Sequence, residues 1–408
     1  MHVHIEKSKL LGNKAIQITG SKSESNRALL LQALFSNINI KNLSNSDDTS
    51  LMKKALASNA ELIDIHHAGT AMRFLTAYFA VQENREVVLT GSSRMKERPI
   101  KILVDALRAL GADITYLENN GFPPLKIKGK QLNNSSVELK ANVSSQYISA
   151  LLLIAPVLEN GLVLELKGTI TSVPYIKMTL SLLRQIGVET SFKNKVITIK
   201  PAKHPTPKTT IEVESDWSSA SYFYSVIALS EIGAELHLKS YKTNSIQGDA
   251  ALAHIYEEFG VETEYTKNGI QLRKTTDVLE RTNINLDLSH APDIAQTIVV
   301  TAFGLHLEAN LTGLHTLKIK ETDRLLALQT ELGKLGADVE VTENSLKLKA
   351  SKRIEPNIAI ATYNDHRMAM AFAPLALKTT ITIEDSDVVS KSYPNFWQDL
   401  KSLGFNLK

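Results

Sequence analysis

An apolar helix opened by polar residues recurs six times along this 408-residue chain, and no other feature limits its fold as tightly. The copies begin at Ser21, Gly69, Ser144, Ser215, Ala291 and Asn364, at intervals of 48, 75, 71, 76 and 73 residues. A second series alternates with the first. Its members are amphipathic helices that close on an apolar residue followed by glycine, at Gly111, Gly187, Gly260, Gly336 and Gly404. Glycine there fits a left-handed residue just past a helix end. In the second copy Ile176, Leu180, Leu183 and Ile186 share one helical face. Residues 52–62 read as a shortened first copy, which accounts for the 48-residue interval. Short strands at residues 87–91, 162–168, 234–240, 309–313 and 379–385 separate the two helices of a unit.

Each unit therefore reads as strand, buried helix, strand, surface helix and further strands. The first helix series is nearly all apolar and belongs inside; the second carries a charged face and belongs outside. Six units exceed one core, so the pattern predicts an α/β protein of two three-unit domains. Residues 200–210, with three prolines and three lysines, read as a connection between them. The strand region 2–19 completes one of the two domains.

Composition removes several function classes. Net charge is only +3, so anion binding must come from local clustering, and no nucleic acid is expected as a partner. There is no cysteine, hence no disulfide, thiolate metal site or cysteine acid. The first residues read as neither a signal nor a transit peptide, and no run reaches the roughly 18 apolar residues of a membrane span. We expect a cytoplasmic monomer that acts on small molecules, without a membrane partner.

The unusual residues gather at the helix openings and in the loops before the surface helices. They are Lys22, Ser23 and Arg27; Gly69, Thr70 and Arg73; Arg94 and Arg98; Ser144, Ser145 and Gln146; and Ser172 and Tyr175. Further on come Asp293; Lys320, Glu321, Asp323 and Arg324; Asp365, His366 and Arg367; and Lys391. Basic residues recur at helix starts, where a purely structural helix prefers Asp or Glu. Gly69-Thr70 lets backbone approach a ligand. Arginine suits bidentate contact with carboxylate or phosphate, and lysine supplies a point charge. The pattern predicts a site for more than one anion, fed by both halves and placed in the cleft between domains. Asp293 and Glu321, held among cations, are candidates for proton transfer.

Plainer readings stay open beside these. Asp293 after Pro292 also reads as a helix-start carboxylate, Asp323 as a structural ion pair with Arg324, and His366 as a cap or supporting residue. Arg94 reads as a buttress for Arg98. His66 and His67 read as loop residues, and Trp217 as core. Neither a P-loop nor a dinucleotide fingerprint occurs, so ATP and NAD are not indicated.

The ordered motifs SKSESNR, AGTAMR, RMKERPI, SSQ, ESDWSSAS, KETDR, NDHRMAM and SKSYPNF resemble the 5-enolpyruvylshikimate-3-phosphate (EPSP) synthase family over essentially the whole chain. The resemblance implies two domains of three βαβαββ repeats around buried parallel helices, an inside-out α/β barrel whose first repeat is shortened here. One domain would be residues 21–214, on the shikimate 3-phosphate side, and the other residues 1–20 with 215–408. The implied reaction transfers enolpyruvate from phosphoenolpyruvate to the 5-hydroxyl of shikimate 3-phosphate and releases phosphate, by addition and elimination through a tetrahedral intermediate. No cofactor or metal is implied. Joining two anions demands many fixed cations, and the proton movements demand two placed acid/base groups.

Carried over by position, Lys22, Gly69, Arg98, Gln146, Arg324, Arg367 and Lys391 resemble the phosphoenolpyruvate set. Lys22, Ser23, Arg27, Ser144, Ser145, Gln146, Ser172, Tyr175, Asp293 and Lys320 resemble the shikimate 3-phosphate set. Asp293 would be the base for the hydroxyl, Glu321 would exchange the methylene proton, and Lys22 would assist. His366 would tune the site. Domain closure on shikimate 3-phosphate would follow from a split site. The family is the target of glyphosate, and Gly69 resembles the sensitive form.

The chain departs from the family pattern at His66-His67, Lys318, Phe74 and the short stretch 46–66. Two alternatives share the scaffold. One is a UDP-N-acetylglucosamine enolpyruvyl transferase, which usually needs the cysteine this chain lacks. The other is a non-catalytic phosphometabolite-binding protein, which has no use for Asp293, Glu321 and Lys22 together.

Overall fold

In a computed structural model of the chain, residues 1–12, 14–140, 144–168, 170, 173–203, 207–277 and 283–408 are described. The chain divides into two compact units: Gly20–Val213, and Met1–Thr19 with Glu214–Lys408. Residues 200–210 are not the divide. Thr209–Glu212 is a strand paired with Ile38–Lys41 inside the first of these units, and residues 204–206 lie outside the described residues.

The repeat is a sheet rule as much as a helix rule. Five four-stranded sheets share one pattern, a parallel pair followed by two antiparallel strands. In one, Leu62–Asp64 and Glu86–Thr90 run parallel, and Leu125–Lys128 and Asp113–Tyr116 follow antiparallel. A parallel pair needs a crossover, and the buried helix Gly69–Ala80 supplies it. The remaining sheet holds only the parallel pair Ile38–Lys41 and Thr209–Glu212. This is the shortened first repeat, and its surface helix is Asp47–Ala57, capped by Ser46. It starts before the expected residue 52, and Leu62 belongs to the next strand.

Strands also cross the repeat boundaries. Lys14–Ile16 is the parallel partner of Glu235–Lys239, and Val3–Glu6 lies between Ile381–Ile383 and Asn406–Leu407. The opening segment thus completes two sheets of the C-terminal unit.

The buried series is Lys22–Leu34, Gly69–Ala80 and Ser145–Ile154 in one unit, and Trp217–Ala228, Ala295–Gly304 and His366–Phe372 in the other. All ten residues of Ala295–Gly304 are buried. Small hydroxyl residues join the helices in the second set: Ser221 meets Thr297 at 2.9 Å, and the Thr301 hydroxyl lies 2.8 Å from that of Ser225. Trp217 is fully buried, as expected of a core residue, with its ring 4.8 Å from that of Tyr241. The five glycines that end the surface series all have positive φ, from 74° to 109°. The copy before Gly260 is not one helix but a 3-10 turn, a short α-helix and a second 3-10 turn. No helix among the described residues is long and apolar enough to cross a membrane.

Candidate functional site

The Gly20–Val213 unit brings most of its expected residues to the starts of its three buried helices. Ser21 caps Lys22–Leu34 through the Glu24 amide, and Ser144 caps Ser145–Ile154 through the Gln146 amide. Lys22 and Ser23 are half-buried on the first turn. The Lys22 side chain makes no hydrogen bond or ion pair with any described residue. Gln146 donates its amide to the Thr70 hydroxyl at 3.1 Å, which ties the third helix start to the second. Beside them the Arg98 guanidinium lies against the Cα of Gly69.

Arg27 is more deeply set than the sequence suggested. The residue is 2% exposed, and its guanidinium donates to Thr179, the Ser23 carbonyl and Ser149, at 2.8, 2.8 and 2.9 Å. It lies over the rings of Phe74 and Tyr175. Burial pulls it down to about 10, against Tyr175 and Glu24, so it remains charged at neutral pH. Phe74, a departure from the family pattern, is therefore one wall of the Arg27 slot. Arg73 is not part of the cluster. It is buried and donates to the Gly69 carbonyl, the Met95 sulfur and the Pro99 carbonyl, fixing the loop that carries Arg98. Arg94 pairs with Glu97 on the surface, not with Arg98. Ser145 is buried at its helix start and Tyr175 is half-buried. Ser172 lies outside the described residues.

The C-terminal unit holds a denser charge cluster, centred on Arg324. This side chain is 2% exposed and donates Nε to Asp365 at 2.7 Å, Nη1 to Asp293 at 2.9 Å and Nη2 to Glu321 at 2.9 Å. Nη2 reaches Asp365 a second time at 3.4 Å. Burial alone would weaken the charge, but Asp365, Glu321 and Asp293 outweigh it and raise the guanidinium above its ordinary value. Asp293 also meets Lys320 at 3.2 Å and the Arg367 guanidinium at 3.8 Å, and its carbonyl accepts from Arg367 at 3.0 Å. Burial would raise this carboxyl; Lys320, Arg367 and Arg324 together hold it well below the usual carboxylate range. It sits in a 3-10 turn leading into Ala295–Gly304, so the helix-start reading is also correct.

Asp323 is not the ion-pair partner the sequence allowed. It caps the helix Arg324–Lys334, accepting from the amides of Leu325 and Leu326. Asp365 does likewise for His366–Phe372 through the Arg367 amide, while its other contacts grip Arg324. His366 is buried beside Asp365, 3.9 Å away. Lys391 donates to the Asn364 carbonyl at 2.6 Å. His66 is an exposed loop residue with φ 46°.

Two participants escaped the sequence reading. Ser218 accepts from Nη2 of Arg367 at 3.2 Å and donates to buried Asp249. The only trace of Ser218 was its place in ESDWSSAS, and of Asp249 its place after Gly248 in a loop before a surface helix.

Comparison with known proteins agrees with the resemblance. A family model described as EPSP synthase (3-phosphoshikimate 1-carboxyvinyltransferase) matches residues 54–400. The chain is 49% identical over 399 residues to the 3-phosphoshikimate 1-carboxyvinyltransferase of Bacteroides fragilis strain YCH46, covering 96% of each. It is 38% identical over 424 residues to the enzyme of that name from Histophilus somni strain 2336, again covering 96% of each. In fold it matches a solved EPSP synthase from Acinetobacter baumannii with a TM-score of 0.80, over 100% of this chain and 99% of that one, at 22% identity.

Proposed function

The chain belongs to the EPSP synthase family and transfers enolpyruvate from phosphoenolpyruvate to shikimate 3-phosphate, and we propose that Asp293 and Glu321, spanned by Arg324, move the protons of that reaction. One observation carries the assignment: Nη1 of Arg324 holds Asp293 and Nη2 holds Glu321, so one rigid fork fixes two carboxylates a guanidinium apart.

In the first step the 5-hydroxyl oxygen of shikimate 3-phosphate bonds to C2 of phosphoenolpyruvate. Asp293 takes the hydroxyl proton, and Glu321, which must enter this step as the neutral acid, delivers its proton to the methylene carbon, making a methyl group. In the second step a methyl proton returns to Glu321, the C2–C3 double bond reforms, and the C2–O bond to phosphate breaks, the departing phosphate carrying away the proton that Asp293 had taken. A base held far below the usual range is a weak one. The bound phosphates and carboxylate would draw charge from Lys320 and Arg367, and the basicity of Asp293 would rise as they arrive.

Arg367, Lys391, Arg98, Gln146, Lys22 and backbone at Gly69 bind phosphoenolpyruvate in this reading. Arg27, Ser23, Ser144, Ser145, Ser172, Tyr175 and Lys320 bind shikimate 3-phosphate, as do Lys22, Gln146 and Asp293. Arg324 reaches phosphoenolpyruvate through its remaining Nη1 hydrogen, its other N–H groups being committed to carboxylates. Phosphate release with both substrates, in the wild type and in Asp293→Ala and Glu321→Ala, tests the assignment. Each substitution should lower kcat by about 10²–10⁴. A variant that keeps kcat within threefold removes that residue from the proton path.

A further inference from the structure

Asp249 is a buried carboxylate among like charges, and the reaction as described above has no use for it. Its side chain is 4% exposed. Burial, then Asp293 and Asp216, push its carboxyl up to about 6, against the pull of Arg367 and the Ser218 hydrogen bond. Among the described residues it caps no helix, and the 3-10 turn Gly248–Ala251 that carries it has no side-chain cap. Its hydrogen-bond partner among the described residues is the Ser218 hydroxyl, which donates to it.

That donation sets the direction of the next bond. A serine hydroxyl has one proton. With that proton spent on Asp249, the Ser218 oxygen turns lone pairs outward, and one accepts from Nη2 of Arg367 at 3.2 Å. Nη1 of the same guanidinium is held by the Asp293 carbonyl at 3.0 Å. The fork is thus fixed at both nitrogens, by backbone on one side and by the Asp249–Ser218 relay on the other. Without the relay the hydroxyl is free to turn its proton toward the cation, and Nη2 loses its 3.2 Å contact with Ser218, keeping the longer one to the Asp293 carboxylate at 3.8 Å.

We infer that Asp249 is a positioning residue, which orients the Ser218 hydroxyl and through it the Arg367 fork that receives phosphoenolpyruvate. The inference rests on assigning Arg367 to that substrate. It explains why a buried acid persists where an apolar residue would pack at lower cost.

Steady-state kinetics of the full chain test it, with Asp249→Ala, Asp249→Asn, Ser218→Ala and the Asp249→Ala/Ser218→Ala pair. Asp249→Ala and Ser218→Ala should each raise KM for phosphoenolpyruvate about tenfold, leaving kcat and KM for shikimate 3-phosphate within about threefold. The pair should be no worse than either alone, since both cut one relay. Asp249→Asn keeps an acceptor for the hydroxyl and should recover most of the loss. An unchanged KM in Ser218→Ala, multiplying effects in the pair, or an Asn variant as impaired as the Ala variant would each overturn the inference. Ser218 sits half-exposed on a helix start, so its variant remains informative even where Asp249→Ala folds poorly. Arg367→Ala run alongside separates the two assignments. If it leaves KM for phosphoenolpyruvate unchanged, the ligand assignment falls and the inference with it; if it raises KM while Asp249→Ala does not, the inference alone falls.

Discussion

The Arg98 guanidinium occupies the space that a side chain on Gly69 would need: a Cβ built there comes within 2.4 Å of Nη1 and 2.9 Å of Cζ. Glycine is thus a packing requirement of the arginine, separate from any freedom of its backbone. Gly69→Ala should push the guanidinium aside and lower kcat/KM for phosphoenolpyruvate by about 10- to 100-fold. If glyphosate competes for this arginine, its inhibition constant should rise in parallel. Kinetics with each substrate varied in turn check both. An alanine variant with wild-type kcat/KM would show that Arg98 does not depend on this contact.

Arg324 should matter to stability as much as to chemistry. Its removal leaves Asp293, Glu321 and Asp365 without their shared cation, and Asp365 is fully buried. Stranding buried charges in this way costs about 3–5 kcal/mol. Arg324→Met should therefore lose about that much in urea unfolding as well as activity. Arg324→Lys should recover little, because an ammonium cannot bridge three carboxylates in a plane.

Lys22 offers the opposite balance. Its side chain has no hydrogen bond or ion pair with a described residue, and it lies half-buried on the first turn of its helix. Lys22→Met should change the unfolding midpoint little, within about 0.5 kcal/mol, while turnover falls by at least about 100-fold. A midpoint shift as large as that of Arg324→Met would place this lysine in the scaffold.

Two carboxylates of the C-terminal unit should give opposite pH signatures. Asp249 titrates near 6 in the folded chain, above its unfolded value near 4, with Asp293, Asp216 and Arg367 facing it. Its contribution to stability is complete below pH 4 and is lost as pH rises through about 6. Asp293 is depressed, so its contribution is present above about pH 4 and disappears as pH falls toward its folded value. Unfolding of the wild type against Asp249→Asn at pH 5 and pH 7.5 checks the first sign. The wild type should lose about 1.4 kcal/mol relative to the variant between the two. A difference that does not change with pH would mean that Asp249 does not titrate in this window.

The repeat made the fold legible because helices and their terminators are local. Residues 69–80 and 145–154 could be placed from apolar runs, and Gly111 to Gly404 from the conformational cost that only glycine escapes. The helix expected from Leu252 up to Gly260 is only partly one: Leu252–Ile255 is α-helical and Tyr256–Phe259 tightens into a 3-10 turn. The site was legible by residue type but not by partner. Arg324 looked like a ligand-binding cation, yet most of its donors are committed to acids 3, 31 and 41 residues away. Arg27 likewise reaches Ser149 and Thr179, 122 and 152 residues on. Asp249 could not be singled out, since nothing in its neighbours reveals that Ser218 points at it.

The pairing of Val3–Glu6 with Ile381–Ile383 and Asn406–Leu407 also sets an order of events on the ribosome. Val3–Glu6 waits for Asn406–Leu407, about 400 residues further on. At the usual elongation rates that delay is roughly 20–80 s. Residues 20–213, whose sheets pair only among themselves, have all their strands in hand near the halfway mark and can fold while the rest is still being made. Until then residues 3–6 and 14–16 are unpaired edges in search of a partner, the stretch of this chain most in need of a chaperone.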